Sequence, residues 1–193
     1  MPANKIPGPT STHNGQPEID EGTLCRMPSP TPQFSPPQDS RGFFHLPLCA
    51  EEEGFYLYGT PTLGRGQYAA PLMLSFLYAV SQRWNRTQSI RFGVGNISRA
   101  EGIAFPPHKG HRNGLQVDIR AIRLDGEQKP VHYDEANYDR RRTQILVDII
   151  RAQAEVTVVY FNDPKVSGVS HLKGHDDHLH VSLKAPSERS KRR

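Results

Sequence analysis

Seven of the nine histidines in this 193-residue chain fall between His108 and His180, and five of them lie in two short segments, "HKGH" and "HDDHLH". Seven residues after the first segment comes Asp118, within "GLQVDIR". Imidazole nitrogens and carboxylate oxygens bind metals, so the chemistry depends on whether these groups can meet. In an extended strand successive side chains alternate, which places His178 and His180 on one face about 7 Å apart and turns Leu179 and Val181 towards a core. If "GLQVDIR" pairs beside "HLHVSL", Asp118 shares that face, and the preceding loop can fold His111 over it. Three ligands then converge: His111, Asp118 and His180.

Two histidines and a carboxylate with one position left open suit a catalytic zinc ion, because structural zinc sites are closed by four ligands and rich in cysteine. Oxygen and imidazole donors together favour zinc over magnesium or calcium and leave manganese, iron and nickel open. Taken singly, a His-X-His pair, the "HKGH" segment or a strand aspartate is ordinarily a solvated surface feature. Their joint occurrence, on Gly-bearing loops that lead into strands of matching alternation, favours the metal. His13 and His45 read as surface or packing residues, and His132 and His171 as structural.

The positioning elements follow from periodicity. In "APLMLSFLYAVSQRWNR" Leu72, Phe76, Leu77, Val80 and Trp84 form one helical stripe behind Pro71, which suits a first-turn position. "SIRFGVG" reads as a strand, and "NISRAEGIAFPPHKGH" as a long loop rich in glycine and proline. In "GLQVDIRAIRL" Leu115, Val117, Ile119 and Ile122 lie near a period of two, with Gln116, Asp118 and Arg120 opposite. Asp125-Gly126 predicts a turn and a hairpin returning through Val131. A second helix is expected over 138–155, with Ile145, Leu146, Ile149 and Ile150 inward. "VTVVYF" reads as a buried strand by its β-branched content, and "GHDDHLHVSL" as a loop entering a strand. Helices mixed with hairpin-joined strands predict an α+β fold, a small antiparallel sheet flanked by helices.

Nine of the 17 prolines lie in the first forty residues, which hold few clustered apolar side chains. We therefore expect residues 1–40 to form an extended or disordered arm, 41–185 one folded domain, and 186–193 a solvated basic tail. The stretch lacks the apolar run of a signal peptide, and no segment reaches the roughly 20 apolar residues of a membrane span. Cys25 and Cys49 do not form a metal site by spacing; reduced thiols are the simpler reading, and pairing would need an oxidising compartment. The formal charge of +4 owes much to the tail "KAPSERSKRR", which carries no base-reading motif, so no nucleic-acid partner is expected.

The blocks "GNISRAEGIAFPPHKGHRNGLQVDI" and "YFNDPKVSGVSHLKGHDDHLHVSL" resemble the two motif blocks of the penicillin-insensitive murein endopeptidases. That family belongs to the LAS group of zinc peptidases, with lysostaphin, D-alanyl-D-alanine peptidases and hedgehog domains. The group is marked by a histidine, six residues and an aspartate, matched by His111 to Asp118, and by a later His-X-His, matched by His178 to His180. The endopeptidases add histidines matched by His108 and His175. The resemblance covers about 41–184 and implies a LAS-type fold with zinc held by His111, Asp118 and His180. It also implies that His178 is the proton carrier and His175 the oxyanion partner, with His108 a further ligand or a support behind the ligands. Gly114 would have a backbone role, and Arg99, Lys109 or Arg112 could meet a substrate carboxylate.

The substrate implied is the peptidoglycan cross-link between D-alanine and the side-chain amine of meso-diaminopimelate. Familiar members are exported and carry several disulfides, whereas this chain has two cysteines and no export signal. The expectation is therefore delivery to the periplasm or wall by another route: as an antibacterial effector of a secretion system, with an immunity protein as a further partner, as a holin-released lytic enzyme, or as a mature fragment. The alternatives are a D-alanyl-D-alanine carboxypeptidase or dipeptidase, and a non-catalytic zinc-bearing wall-binding module.

Overall fold

The computed structural model describes residues 38–46, 54–59, 66–106 and 110–185. The stretch 1–37, Cys25, Cys49, His108, Lys109 and the tail 186–193 lie outside the described residues, and the expectations placed on them with it. The chain runs β1 (Phe44–His45), β2 (Phe55–Leu57), β3 (Tyr68–Ala69), α1 (Pro71–Asn85), β4 (Phe92–Val94), a 3-10 turn at Ala100–Gly102, β5 (Gln116–Arg120), α2 (Arg140–Arg151), β6 (Val156–Tyr160) and β7 (His178–Leu183). This is an α+β fold with a small β1-β3 sheet and a five-stranded sheet ordered β2-β4-β5-β7-β6.

Pro71 opens α1, where its missing N–H costs nothing. The buried stripe is Met73, Phe76, Leu77, Val80 and Trp84, with Leu72 only half-buried, one position from the expected stripe. The Trp84 indole donates to the Ile90 carbonyl at 2.6 Å and fixes the helix end beside β4. In α2, Leu146, Val147 and Ile150 are buried, whereas Ile145 and Ile149 pack at the margin. The helix begins at Arg140 rather than 138 because the Asp139 side chain caps it, accepting from the Arg142 N–H at 2.9 Å. An Asp139→Ala change is expected to lower unfolding free energy by about 1 kcal/mol in denaturant titration.

The main sheet is mixed rather than purely antiparallel, since β2 and β4 pair in parallel while the other pairs are antiparallel. A parallel pair needs a crossover, and α1 supplies it. The hairpin expected after β5 does not form: β4 and β7 already occupy both edges of β5, so no edge remains for a returning strand. Asp125 does make a turn, accepting from the Glu127 N–H and pairing with Arg123, but the chain passes Val131 without forming a strand and returns only to a single antiparallel bridge, Tyr138 with Arg123, before α2. Strand β6, expected to be buried, is the outer strand and buries only Val159. Its β-branched residues suit a pleated, half-covered surface and do not by themselves report depth.

Alternation divides the sheet into two faces. Val117 and Ile119 of β5 and Leu179, Val181 and Leu183 of β7 join both helices in one apolar core. The opposite face carries Gln116, Asp118 and Arg120 beside His178, His180 and Ser182. Loops cover that second face. One bend depends on Gly114, at φ +66°, where a Cβ would lie 2.7 Å from the Ala70 nitrogen and from the Phe43 ring. We expect Gly114→Ala to cost about 1–3 kcal/mol, seen as a lowered thermal midpoint.

Candidate metal centre

The register of β5 on β7 sets Asp118 directly opposite His180. Their side chains meet, with His180 Nδ1 2.9 Å from Asp118 Oδ1. His111 comes from the loop before β5 and is buried. Its backbone has φ +57°, one of two non-glycine residues in the left-handed region among those described, the other being Glu101. That conformation is uncommon for a non-glycine residue, though histidine adopts it more readily than most, and it persists where surroundings over-determine it. Here the His111 N–H donates to the Gln116 side chain, and its ring is held at both nitrogens.

Hydrogen-bond chemistry fixes the tautomer of His111. Nδ1 lies 3.2 Å from the Ile97 carbonyl oxygen, which can only accept, so Nδ1 carries the proton of the neutral ring. Nε2 is left with a lone pair 3.2 Å from Asp118 Oδ1 and 3.2 Å from His180 Nδ1. His180 Nε2 faces the Ser182 hydroxyl at 3.4 Å, a partner that can hold the ring with Nδ1 free for a ligand bond. Burial alone would raise the Asp118 pKa, but the His111 and His180 rings set against its carboxylate outweigh it and hold the carboxyl below the ordinary range.

The three ligand atoms are thus 2.9–3.2 Å apart in every pairing. Ligands around a tetrahedral ion with bonds of about 2.1 Å stand about 3.4 Å apart, so a few tenths of an ångström of expansion would seat an ion. The sum of two neutral nitrogen donors and one carboxylate suits a divalent transition metal. His111, Asp118 and His180 could hold a metal ion, the set expected from the spacing.

Two further histidines border this cluster. His178 Nδ1 donates to Asp177 Oδ1 at 2.7 Å, leaving Nε2 turned inward, 3.9 Å from Asp118 Oδ1. Burial would lower its pKa, yet the Asp177 hydrogen bond and the Asp118 charge raise it above the usual value. His175 donates from Nδ1 to the Leu172 carbonyl at 3.0 Å, and its ring centre is 4.9 Å from that of His178 and 5.6 Å from that of His180. Burial, its largest influence, lowers the His175 pKa, so the neutral ring presents a bare Nε2.

Several supporting residues escaped the motif reading. Asn162 donates to Asp176 at 2.9 Å, accepts from the Leu172 N–H at 3.0 Å, and its own N–H reaches the His175 carbonyl, so it clamps the loop that carries His175. In the sequence it is only the residue before Asp-Pro, a turn signal. Its neighbour Asp163 is buried and pairs with Arg140 Nε at 2.7 Å. Burial would raise the Asp163 pKa, but the Lys165 N–H and Arg140 hold it below 3.8. A folded-state pKa below the unfolded one stabilises above the unfolded value and is lost as pH falls through the folded one. Asp163→Asn should therefore flatten the decline in stability below about pH 4 in acid titration.

Of the cations expected to meet a substrate carboxylate, Arg99 donates from Nη1 to the Ala104 carbonyl and Arg112 from Nε to the Gly102 carbonyl, and Lys109 lies outside the described residues. His132 and His171 are exposed, and His45 packs on Tyr68 with ring centres 5.3 Å apart.

An α+β sheet with a buried two-histidine, one-carboxylate cluster defines a protein with a candidate mononuclear metal centre. No protein-family model matches the chain, and no curated protein sequence matches it.

Proposed function

We propose that this chain is a LAS-type zinc peptidase that hydrolyses peptidoglycan cross-links, between D-alanine and the side-chain amine of meso-diaminopimelate, in the periplasm or on the wall. The observation that supports it is the meeting of His111, Asp118 and His180 at one point with His178 and His175 beside them. These are the residues that the two motif blocks single out. Zinc held by the three ligands would supply a Lewis acid for the scissile carbonyl and a water acidic enough to attack near neutral pH.

The chain's own residues supply the proton traffic. His178 Nδ1–H is oriented by Asp177, so Nε2 accepts the proton of the attacking water and returns it to the leaving amine. Asp177 and Asp118 stabilise the imidazolium formed in between, as a carboxylate does behind the base of a serine triad. His175 offers Nε2 to the same space; contact with an oxyanion requires that atom to be protonated, and its neutral form accepts from water instead.

The test is to incubate the full chain, loaded with zinc, with cross-linked muropeptide dimers and resolve the products. Monomers are expected. Release of a terminal D-alanine from a pentapeptide monomer instead would move the activity to a carboxypeptidase. Dimers left intact at full zinc occupancy would overturn the proposal.

A further inference from the structure

Arg120 closes β5 at the position opposite His178 of β7, and alternation sets it on the face that carries Asp118, His178 and His180. Its guanidinium lies 4.1 Å over the Tyr58 ring and 5.9 Å from the centre of Tyr56. Nη1 donates to the Gln128 carbonyl at 2.7 Å. Glycines in β4 make room for this arrangement. A Cβ on Gly93 would stand 2.7 Å from Tyr56 Cζ, and one on Gly95 2.6 Å from Tyr58 Cζ, so the two tyrosines lie across the bare strand as a floor.

The arginine is half-buried, yet it has no carboxylate partner among the described residues. The arginines in ion pairs are Arg41, Arg123, Arg140 and Arg142. A guanidinium stacked on an aromatic ring, with one N–H on the Gln128 carbonyl and a further bond to the Tyr56 side chain, keeps the remaining donors of a rigid fork, the geometry that binds a carboxylate through two parallel hydrogen bonds. A partly desolvated cation without a counter-ion gains most from a ligand that brings one.

We infer that Arg120 anchors a substrate carboxylate next to the scissile bond, and that the protein selects cross-links whose diaminopimelate carboxylate is free rather than amidated. This rests on the peptidase reading above. The carboxylate concerned is borne by the carbon that carries the leaving amine, two bonds from the scissile nitrogen. His178, which serves that amine, stands opposite Arg120 in the register. Arg120 touches substrate and transfers no proton.

Two cross-linked dimers that differ only in a free or amidated carboxylate provide the test, with wild type, R120Q, R120K and Y58F. Wild type should favour the free acid by about 10- to 100-fold in kcat/KM, carried by KM, the range for one charge-assisted pair. R120Q should lose that preference, with the loss in KM for the free-acid dimer, and R120K should recover only a small part because it lacks the fork. Y58F keeps the ring under Arg120 and removes a buried hydroxyl without a partner among the described residues, so the preference for the free acid should survive it. Equal cleavage of both dimers by wild type overturns the inference, as does an R120Q loss of equal size on both. Cleavage of neither dimer by wild type counts against the peptidase reading. Calorimetry on zinc-loaded wild type and R120Q then decides the anchor alone: tighter binding of the free-acid dimer by wild type supports it, and equal or absent binding overturns it.

Discussion

Asp118→Ala is expected to lower the affinity for zinc by at least about 100-fold, measured by competition with a chromogenic chelator. Loss of a group merely behind a ligand already costs about 10- to 100-fold, and Asp118 is the only anion in the cluster. Its Oδ1 lies 3.2 Å from His111 Nε2 and 2.9 Å from His180 Nδ1, so its removal leaves two buried imidazoles facing each other without the carboxylate that both face. The metal-free protein should therefore also lose stability, by about 1–3 kcal/mol, the cost of a buried group deprived of its partner. Asp118→Asn separates the two effects: it keeps an oxygen for the histidines and part of the stability, but not the charge that holds a cation. Unchanged zinc affinity in both variants would remove Asp118 from the ligand set.

His178→Ala should have the opposite signature. Its Nε2 stands 3.9 Å from Asp118 Oδ1, outside the three mutually close ligand atoms, so metal content should stay at the wild-type level. Turnover of cross-linked dimers should fall by about 100- to 10,000-fold, the contribution of a placed proton carrier, with the loss in kcat rather than KM. Asp177→Asn should lie between wild type and His178→Ala, because it leaves the ring in place but removes the charge that stabilises its imidazolium. Lost metal in His178→Ala would make this histidine a ligand; unchanged kcat would deny it a part in the chemistry.

The cluster was legible in the sequence because period-two alternation decides faces without knowledge of the whole fold. Once "GLQVDIR" and "HLHVSL" were taken as neighbours, Asp118 and His180 had to share a face, and they pair directly. What escaped were features that depend on distant neighbours. The Asp125-Gly126 pair carries a true turn signal, but whether a hairpin follows depends on β4 and β7 having filled both edges of β5. Arg99 and Arg112 stand out in the sequence as loop cations near the motif, but the sequence does not show that each donates to a loop carbonyl, that of Ala104 and that of Gly102. Arg120 was placed on the polar face, yet its floor comes from Tyr56 and Tyr58, some sixty residues earlier, and from two glycines whose purpose shows only when the strands lie side by side.

The pairing of Asp118 with His180 would also make a metal held there a proofreader of folding. A slip of β7 by one residue against β5 would turn Leu179 outward and carry both histidines into the apolar layer, dismantling the site at once. A metal ion therefore rewards a single alignment of the two strands, and at a free concentration 100 times its Kd it would deepen that one basin by about 2.7 kcal/mol while leaving every slipped arrangement unaided. Metal supplied during refolding should raise the yield of chains with the right pairing, beyond any protection it gives to molecules already folded.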